Sequence, residues 1–351
     1  MSWRLQELGR ETLLNLRPAH VLLALLIGVG AWMGTAPDVA AVDRTIREFQ
    51  QRIEEGATVW VLESESELNS RRCERLAPSV SSIRASGSVL AASSPTPSVM
   101  RFVQSPDVEY PVLEVTPGLV EVATGLPAVP AGGGTIGGAV AGELGVARGV
   151  VLRTTLGGVF PVSRVVDTTV RDLGFGRDVL ALTPPNRPAS ACWFETEPWA
   201  PESTPELIRG LVAMSDRKVT LSPYSRNPVT AVGVVSDLRM RETRNSVVVT
   251  SGLLLVVVVG WVLLRRRAII TYRVANTATG ERILILGGEL AVPAIVGWSA
   301  AMAAIAITAE TTAAFEAGVW AVTVAVPLAM LGGIAASIAL GRRRIDRALK
   351  E

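Results

Sequence analysis

Residues 246–264 read SVVVTSGLLLVVVVGWVLL, 19 positions without a charged side chain, and Arg265-Arg266-Arg267 follow at once. A helix crosses a hydrocarbon core with about 20 apolar residues, so this run has the length of a membrane span with a basic stop at one end. Three more stretches share the property. Pro18–Pro37, Leu290–Ala309 and Ala317–Gly341 hold 20, 20 and 25 residues without Asp, Glu, Lys or Arg. Buried core helices are the alternative reading, but four such runs in one chain form a membrane pattern. For the first run a cleaved signal peptide is a second alternative, with a small-residue stretch near Asp38–Val42. Against it, residues 1–17 are long for an n-region and carry Glu7 and Glu11 among arginines.

Composition agrees with the four runs. Of 351 residues, 49% are apolar and only 19% charged, against about 25% charged in soluble domains. Disorder is excluded by that apolar content, and a small disulfide scaffold by a count of two cysteines. A net charge of +2 excludes a generally basic nucleic-acid binder.

Arginines near the span ends set the orientation. Arg4, Arg10 and Arg17 precede the first run, Arg265–Arg267 follow the second, Arg273 and Arg282 precede the third, and Arg342, Arg343, Arg344, Arg347 and Lys350 follow the fourth. Both termini are therefore expected in the cytoplasm. The charge split agrees: residues 38–245 carry 21 basic and 24 acidic side chains, so the near-neutral total conceals a basic inside and an acidic outside. The expected fold is a membrane protein of four transmembrane α-helices with a large α+β extracytoplasmic domain inserted between helices 1 and 2. Its expected segments are a cytoplasmic amphipathic helix (1–17), helix 1 (18–37), the extracytoplasmic α+β domain with its stalk (38–245) and helix 2 (246–264). They continue with a cytoplasmic coupling-helix loop (265–289), helix 3 (290–309), an outer loop (310–316), helix 4 (317–341) and a cytoplasmic tail (342–351).

Within the outer domain, Val39–Glu55 continues the first span as an amphipathic helix, with Val42, Ile46, Phe49 and Ile53 on one stripe. Strands are expected at Thr58–Leu62, Val112–Val115, Val150–Arg153, Phe160–Val166 and Val179–Leu182, and helices at Leu68–Leu76, Ile136–Leu144 and Pro205–Met214. Cys192–Glu195, a helix and Val219–Leu221 read as a βαβ-like unit, and Asp237–Arg244 as a stalk. Catalytic signatures are missing. The single histidine, His20, lies at the membrane boundary, so no Ser-His-Asp or Cys-His arrangement forms outside. The sequence holds no His-Glu-x-x-His, no Cys-x-x-Cys and no P-loop. The chain is therefore expected to be non-catalytic, with no metal and no cofactor of its own. Both cysteines, Cys73 and Cys192, fall outside the cytosol, where disulfides persist; a Cys73–Cys192 bridge is expected, with two buried thiols as the alternative.

One span, a large outer domain and three closely spaced spans is an order that resembles the FtsX/MacB-like permeases, the transmembrane subunits of type VII ABC transporters. The resemblance runs over the whole chain in topology. It also shows locally in Arg265-Arg266-Arg267, the short polar helix after it, and Ile283–Leu290 with Glu289. Pro117-Gly118-Leu119, Gly138–Gly145 and Cys192-Trp193 are similar to actinobacterial members. The chain departs from the pattern at Ala268, where an acidic residue is usual, and at Asn276, where glycine is usual.

The resemblance implies two permeases, identical or related, working with two copies of a separate ABC ATPase subunit that binds ATP and magnesium. It also implies that ATP-driven movement of the spans is passed to the outer domains, which export or extract a peptide, lipid-linked or antibiotic-like substrate. Arg267, Tyr272, Arg273, Asn276, Glu281 and Arg282 are the expected ATPase-coupling residues; a juxtamembrane turn held on anionic lipid is the alternative. Gly30 and Gly34 form a G-x-x-x-G that permits close helix approach, and Glu289 is expected at the entry to helix 3. A regulator that activates a cell-wall hydrolase or signals a bound ligand is the competing function.

Overall fold

The computed structural model describes residues 18–92, 98–127, 134–166, 171, 173–213, 219–226, 228–274 and 279–342. The amphipathic helix expected over 1–17 and nearly all of the tail after 341 lie outside these residues. The chain divides into a helical unit, Met1–Arg47 with Asp237–Glu351, and a sheet unit, Glu48–Ser236.

The helical unit is built on α1 (Pro18–Glu54), α8 (Ser246–Leu264), α9 (Arg266–Val274), α10 (Thr279–Thr308) and α11 (Thr312–Arg342). Among the described residues, four helices are long and apolar enough to cross a membrane, over Pro18–Glu54, Glu242–Leu264, Ile283–Thr308 and Thr312–Leu340. The first uncharged run and the amphipathic stretch beyond it form a single helix, with Pro37 inside it. On α8 the buried positions Ser246, Thr250, Leu254, Val258 and Val262 recur every fourth residue. That spacing is one helix face, turned onto a core that includes Leu23, Ile27, Leu290, Ile305 and Val322.

Two boundaries differ from the charge gaps. Helix α10 starts at Thr279, not at 290, because a charge does not stop a helix: Glu281 sits in its first turn, where the helix dipole favours an acid. The link from α10 to α11 shrinks from 310–316 to residues 309–311, since the Thr311 hydroxyl accepts the Ala314 N–H at 3.2 Å and caps the next helix.

The sheet unit holds β1 (Val59–Asn69), α2 (Ser70–Glu74), α3 (Leu76–Ser79), β2 (Ile83–Leu90), β3 (Val99–Phe102), β4 (Ser105–Val115) and α4 (Pro117–Thr124). It continues with β5 (Gly134–Gly137), α5 (Gly138–Leu144), β6 (Val151–Arg153), β7 (Val159–Val166), β8 (Val179–Leu182), β9 (Pro188–Thr196), α6 (Thr204–Ala213) and β10 (Val219–Pro223). A further helix, α7 (Ala231–Met240), straddles the division between the units. The strand order is β10-β1-β9-β2-β4-β8-β5-β7-β6, with β3 on β4. Pairs β4–β8 and β5–β7 are parallel, and the other pairs are antiparallel. Strand β1 lies between β9 and β10 and runs against both, so the expected βαβ-like unit exists with a foreign strand in its middle.

At the other end the sheet closes on itself. Phe102 bridges to Thr154, the Val103 N–H donates to the Arg153 carbonyl at 2.9 Å, and the Thr155 N–H donates to the Arg101 carbonyl at 3.0 Å. Strands β3, β4, β8, β5, β7 and β6 thereby form a ring. Its filling includes Phe102, Tyr110, Ile136, Leu152, Phe160 and Val179. A second core, with Leu62, Cys73, Phe194 and Ile208, lies where α2 and α6 cover β1 and β9. A third, with Val59, Leu119, Val122 and Leu180, lies under α4.

Expected elements appear at β1, β4, β6, β7, β8, α5 and α6, most of them shifted by a few residues. The helix expected over Leu68–Leu76 begins only at Ser70, because β1 runs to Asn69, whose side-chain oxygen accepts the Arg72 N–H at 3.1 Å. Strands β2, β3 and β5 are additions. In β2 six of eight residues are buried on both faces, so no alternation marks it.

Candidate functional site

Polar side chains gather at three places in the helical unit. The first is where α8 gives way to α9. Arg265 is the one residue outside helical geometry between them; its N–H donates to the Trp261 carbonyl at 3.1 Å, and its own carbonyl accepts the Ile269 N–H at 3.2 Å. The Arg265 guanidinium donates to Glu289 Oε2 and lies 3.4 Å from His20 Nε2. Glu289 is 1% exposed and His20 4%. The His20 ring meets the Trp261 ring edge-on at 5.1 Å. One arginine thus joins α1 and α10 at the break between α8 and α9.

The second place is Asp38 on α1. It accepts both arms of Arg241 at 2.6 and 3.1 Å, the Thr243 hydroxyl at 2.7 Å and the Ser246 hydroxyl at 3.4 Å. This hydrogen bonding raises the Arg241 pKa and keeps the guanidinium charged. The third is Asp43, one turn further along α1. It accepts the N–H groups of Glu310 and Thr311 at 3.0 and 2.9 Å and the Thr311 hydroxyl at 2.7 Å, fixing the link between α10 and α11. Both aspartates are buried and lie on the same face of α1 as Val39 and Val42.

The packing glycines face α8. A Cβ on Gly30 would stand 2.9 Å from Leu253 Cδ2, and one on Gly34 would stand 2.3 Å from Thr250 Oγ1. Glu289, expected at a helix entry, instead lies ten residues into α10 as the buried partner of Arg265. Arg267 is exposed on α9. Tyr272 and Arg273 lie on the same helix, and Glu281 and Arg282 in the first turns of α10. Asn276 lies outside the described residues. Among the described residues no group of His, Cys, Asp and Glu is placed to hold a metal ion.

The sheet unit carries its own buried ion pair, which sequence spacing did not reveal. Arg171 spends all five N–H groups. Its Nη1 donates to Glu195 Oε2 at 3.0 Å and to the Val122 carbonyl at 2.7 Å; Nη2 donates to Glu195 Oε1 at 2.8 Å and to the Ile53 carbonyl at 3.2 Å; Nε donates to the Glu54 carbonyl at 3.2 Å. A cation on the last carbonyls of α1 also complements its dipole. Glu195 receives Thr58 and Arg84 as well, each at 3.3 Å.

Cys73 and Cys192 form a disulfide with a Cα–Cα distance of 5.8 Å, tying α2 to β9. Replacing both with alanine is expected to cost about 2–5 kcal/mol; loss of protease resistance in the sheet unit at lower temperature, matched by the reduced parent, is the check.

Glu74, the last residue of α2, accepts the Gly118 N–H at 2.8 Å. Burial raises its pKa, and hydrogen bonds from Thr116 and Gly118 only partly offset that. A carboxyl with a raised folded pKa contributes stability that is fully present below its unfolded pKa and lost as pH rises through the folded one. Glu74→Gln is therefore expected to raise Tm at pH 7 by about 1–3 °C, as a sub-kcal/mol gain does in a domain this size. The gain should vanish near pH 4, and pH-dependent thermal unfolding of parent and variant measures it.

No family model and no curated protein matches the sequence. Among solved structures, the periplasmic region of MacB from Actinobacillus actinomycetemcomitans is similar to part of it, with 7% identity and a TM-score of 0.37, covering 54% of this chain and 96% of that one.

Proposed function

We propose that this chain is the permease subunit of an ABC transporter, working by mechanotransmission with a separate ATPase that supplies the ATP and magnesium chemistry. The observation that carries the reading is the chain order: one membrane-length helix, a separately folded α+β unit at 48–236, then three membrane-length helices with a short arginine-led helix after the first of them. In this reading both termini and α9 face the cytoplasm and the sheet unit is extracytoplasmic, which the arginine distribution supports. Helix α9, with Arg267, Tyr272 and Arg273, together with Glu281 and Arg282 on α10, meets the ATPase.

The four helices support the reading in a second way. Three polar contacts tie α1 and α10 to the segments flanking α8 and α11, at Arg265–Glu289, Asp38–Arg241 and Asp43–Thr311. Such contacts tie helix ends to one another and favour movement of the bundle as a body. The sheet unit then acts on a peptide, a lipid-linked molecule or an antibiotic-like compound outside the membrane.

The test is affinity purification of the full chain from its own cells with identification of any ABC ATPase that comes with it, followed by ATPase assay of the reconstituted complex. The expected result is a stable complex whose ATPase activity depends on the permease and rises with an extracytoplasmic substrate. Stimulation by a cell-wall hydrolase instead would assign the regulator role. Absence of any ATPase in the purified material, with external protease failing to reach 48–236, would overturn the reading.

A further inference from the structure

The one-residue break between α8 and α9 looks, from its backbone alone, like a hinge. Its side chain argues otherwise. Arg265 reaches away from both flanking helices to Glu289 on α10 and to within hydrogen-bond range of His20 on α1. Both partners are almost fully buried, while Arg265 itself retains 18% side-chain exposure. One turn beyond the break Ile269, 2% exposed, inserts α9 into the same apolar core.

We infer that Arg265 is a positioning residue that locks this break into a rigid joint, so that movement imposed on α9 passes to α1 and α10 instead of being absorbed between α8 and α9. The physical reason is the cost of the alternative. Turning α9 about the break would pull the Arg265 guanidinium away from the Glu289 carboxylate, which is 1% exposed. That is the costly way to break a buried pair. His20 closes the third side, with its ring held edge-on against Trp261 on α8. The joint therefore connects three of the four membrane-length helices at one level, next to the helix that carries Arg267, Tyr272 and Arg273. Gln at 289 keeps the size of the side chain and removes the charge, so it tests the pairing and not the packing; Gln at 265 removes the charge and also shortens the side chain.

The inference gives a role to the α9 attachment on which the permease reading rests, but its test needs no ATPase. Hydrogen exchange is measured on the full chain in detergent micelles, comparing the parent with Glu289→Gln, Arg265→Gln, Arg265→Lys and the swap Arg265→Glu with Glu289→Arg. The amides of residues 266–274 are expected to exchange about tenfold faster or more in both Gln variants, while those of 246–264 and of the sheet unit stay unchanged, the signature of a local opening. Arg265→Lys should retain part of the protection, since a single ammonium replaces a planar fork, and the swap should restore most of it. A second readout guards against loss of folding. Spin labels at Arg267→Cys and Ile295→Cys should give a narrow distance distribution in the parent that broadens in Glu289→Gln. Unchanged exchange in the Gln variants, or a swap that restores nothing, overturns the joint and leaves the permease reading intact. Faster exchange in a chain that never binds an ATPase overturns the permease reading and leaves the joint standing.

Discussion

Arg171→Ala is expected to lower the stability of the sheet unit by about 3–5 kcal/mol, the range for removing one partner of a buried ion pair. Two losses combine there. Glu195 is left with only the half-exposed Arg84 and the Thr58 hydroxyl nearby, and the buried Val122 carbonyl and the part-buried carbonyls of Ile53 and Glu54 lose the arginine as a donor. The second loss separates this site from ion pairs that apolar residues replace without penalty. A double change, Arg171→Met with Glu195→Met, removes the stranded carboxylate but leaves the buried Val122 carbonyl without the arginine, at about 1–3 kcal/mol for a buried unsatisfied group. The double variant is therefore expected to recover part of the loss and never to exceed the parent. Arg171→Lys should fall between, because three rotatable donors cannot serve five directions. The denaturant midpoint of tryptophan fluorescence in the full chain reads all three. An Arg171→Ala variant within about 0.5 kcal/mol of the parent, the spread of ordinary surface changes, would remove the site from the fold's essential contacts.

A larger effect is expected from one added methyl group. Where α4 crosses β2, a Cβ on Gly118 would stand 1.9 Å from the Ser86 carbonyl oxygen, and a Cβ on Gly87 would stand 1.9 Å from the Leu119 nitrogen. The obstructing atoms are backbone, so no rotamer change relieves them, and α4 has to move off the sheet. Val115, Leu119 and Val122 would lose their packing with it. Gly118→Ala is expected to exceed about 4 kcal/mol, beyond the range of most single substitutions, and to show as failure to accumulate folded chain with the Cys73–Cys192 bond closed. Gly142, in the middle of α5, is the internal control: nothing lies within 4 Å of a Cβ built there. Gly142→Ala should be neutral or stabilise by up to about 1 kcal/mol through helix propensity. Equal behaviour of the two alanine variants would mean that the α4–β2 approach is not the constraint it looks.

The four membrane-length helices were legible because absence of charge over about 20 residues is a local signal. Their exact ends were not. Thr279–Leu290 is helical although it contains Glu281, Arg282 and Glu289, and nothing local announces that Glu289 will be neutralised by Arg265. Within the sheet unit, β1 and β7 were visible as β-branched runs and β8 as a short apolar one, whereas β5, Gly134–Gly137, has the composition of a turn and becomes a strand only because β7 and β8 flank it. The Arg171–Glu195 pair was invisible for the same reason: most carboxylates on such a domain face water, and only the packing of α1, α4 and β9 around one point makes these two different. The disulfide was within reach of the sequence because two cysteines leave only one intramolecular pairing.

The position of β1 between β9 and β10 has a consequence for synthesis. This first strand of the sheet unit pairs with β9 and β10, the last two, which begin at Pro188 and Val219. At elongation rates of about 5–20 residues per second, Val59–Asn69 waits roughly 6–24 s for its first neighbour to be made, and Cys73 waits as long for Cys192. During that interval an unpaired apolar strand and a lone thiol are exposed to whatever surrounds the nascent chain. Protection has to come from outside the molecule, so the yield of this protein should depend on holding chaperones and thiol oxidants more than its final architecture suggests.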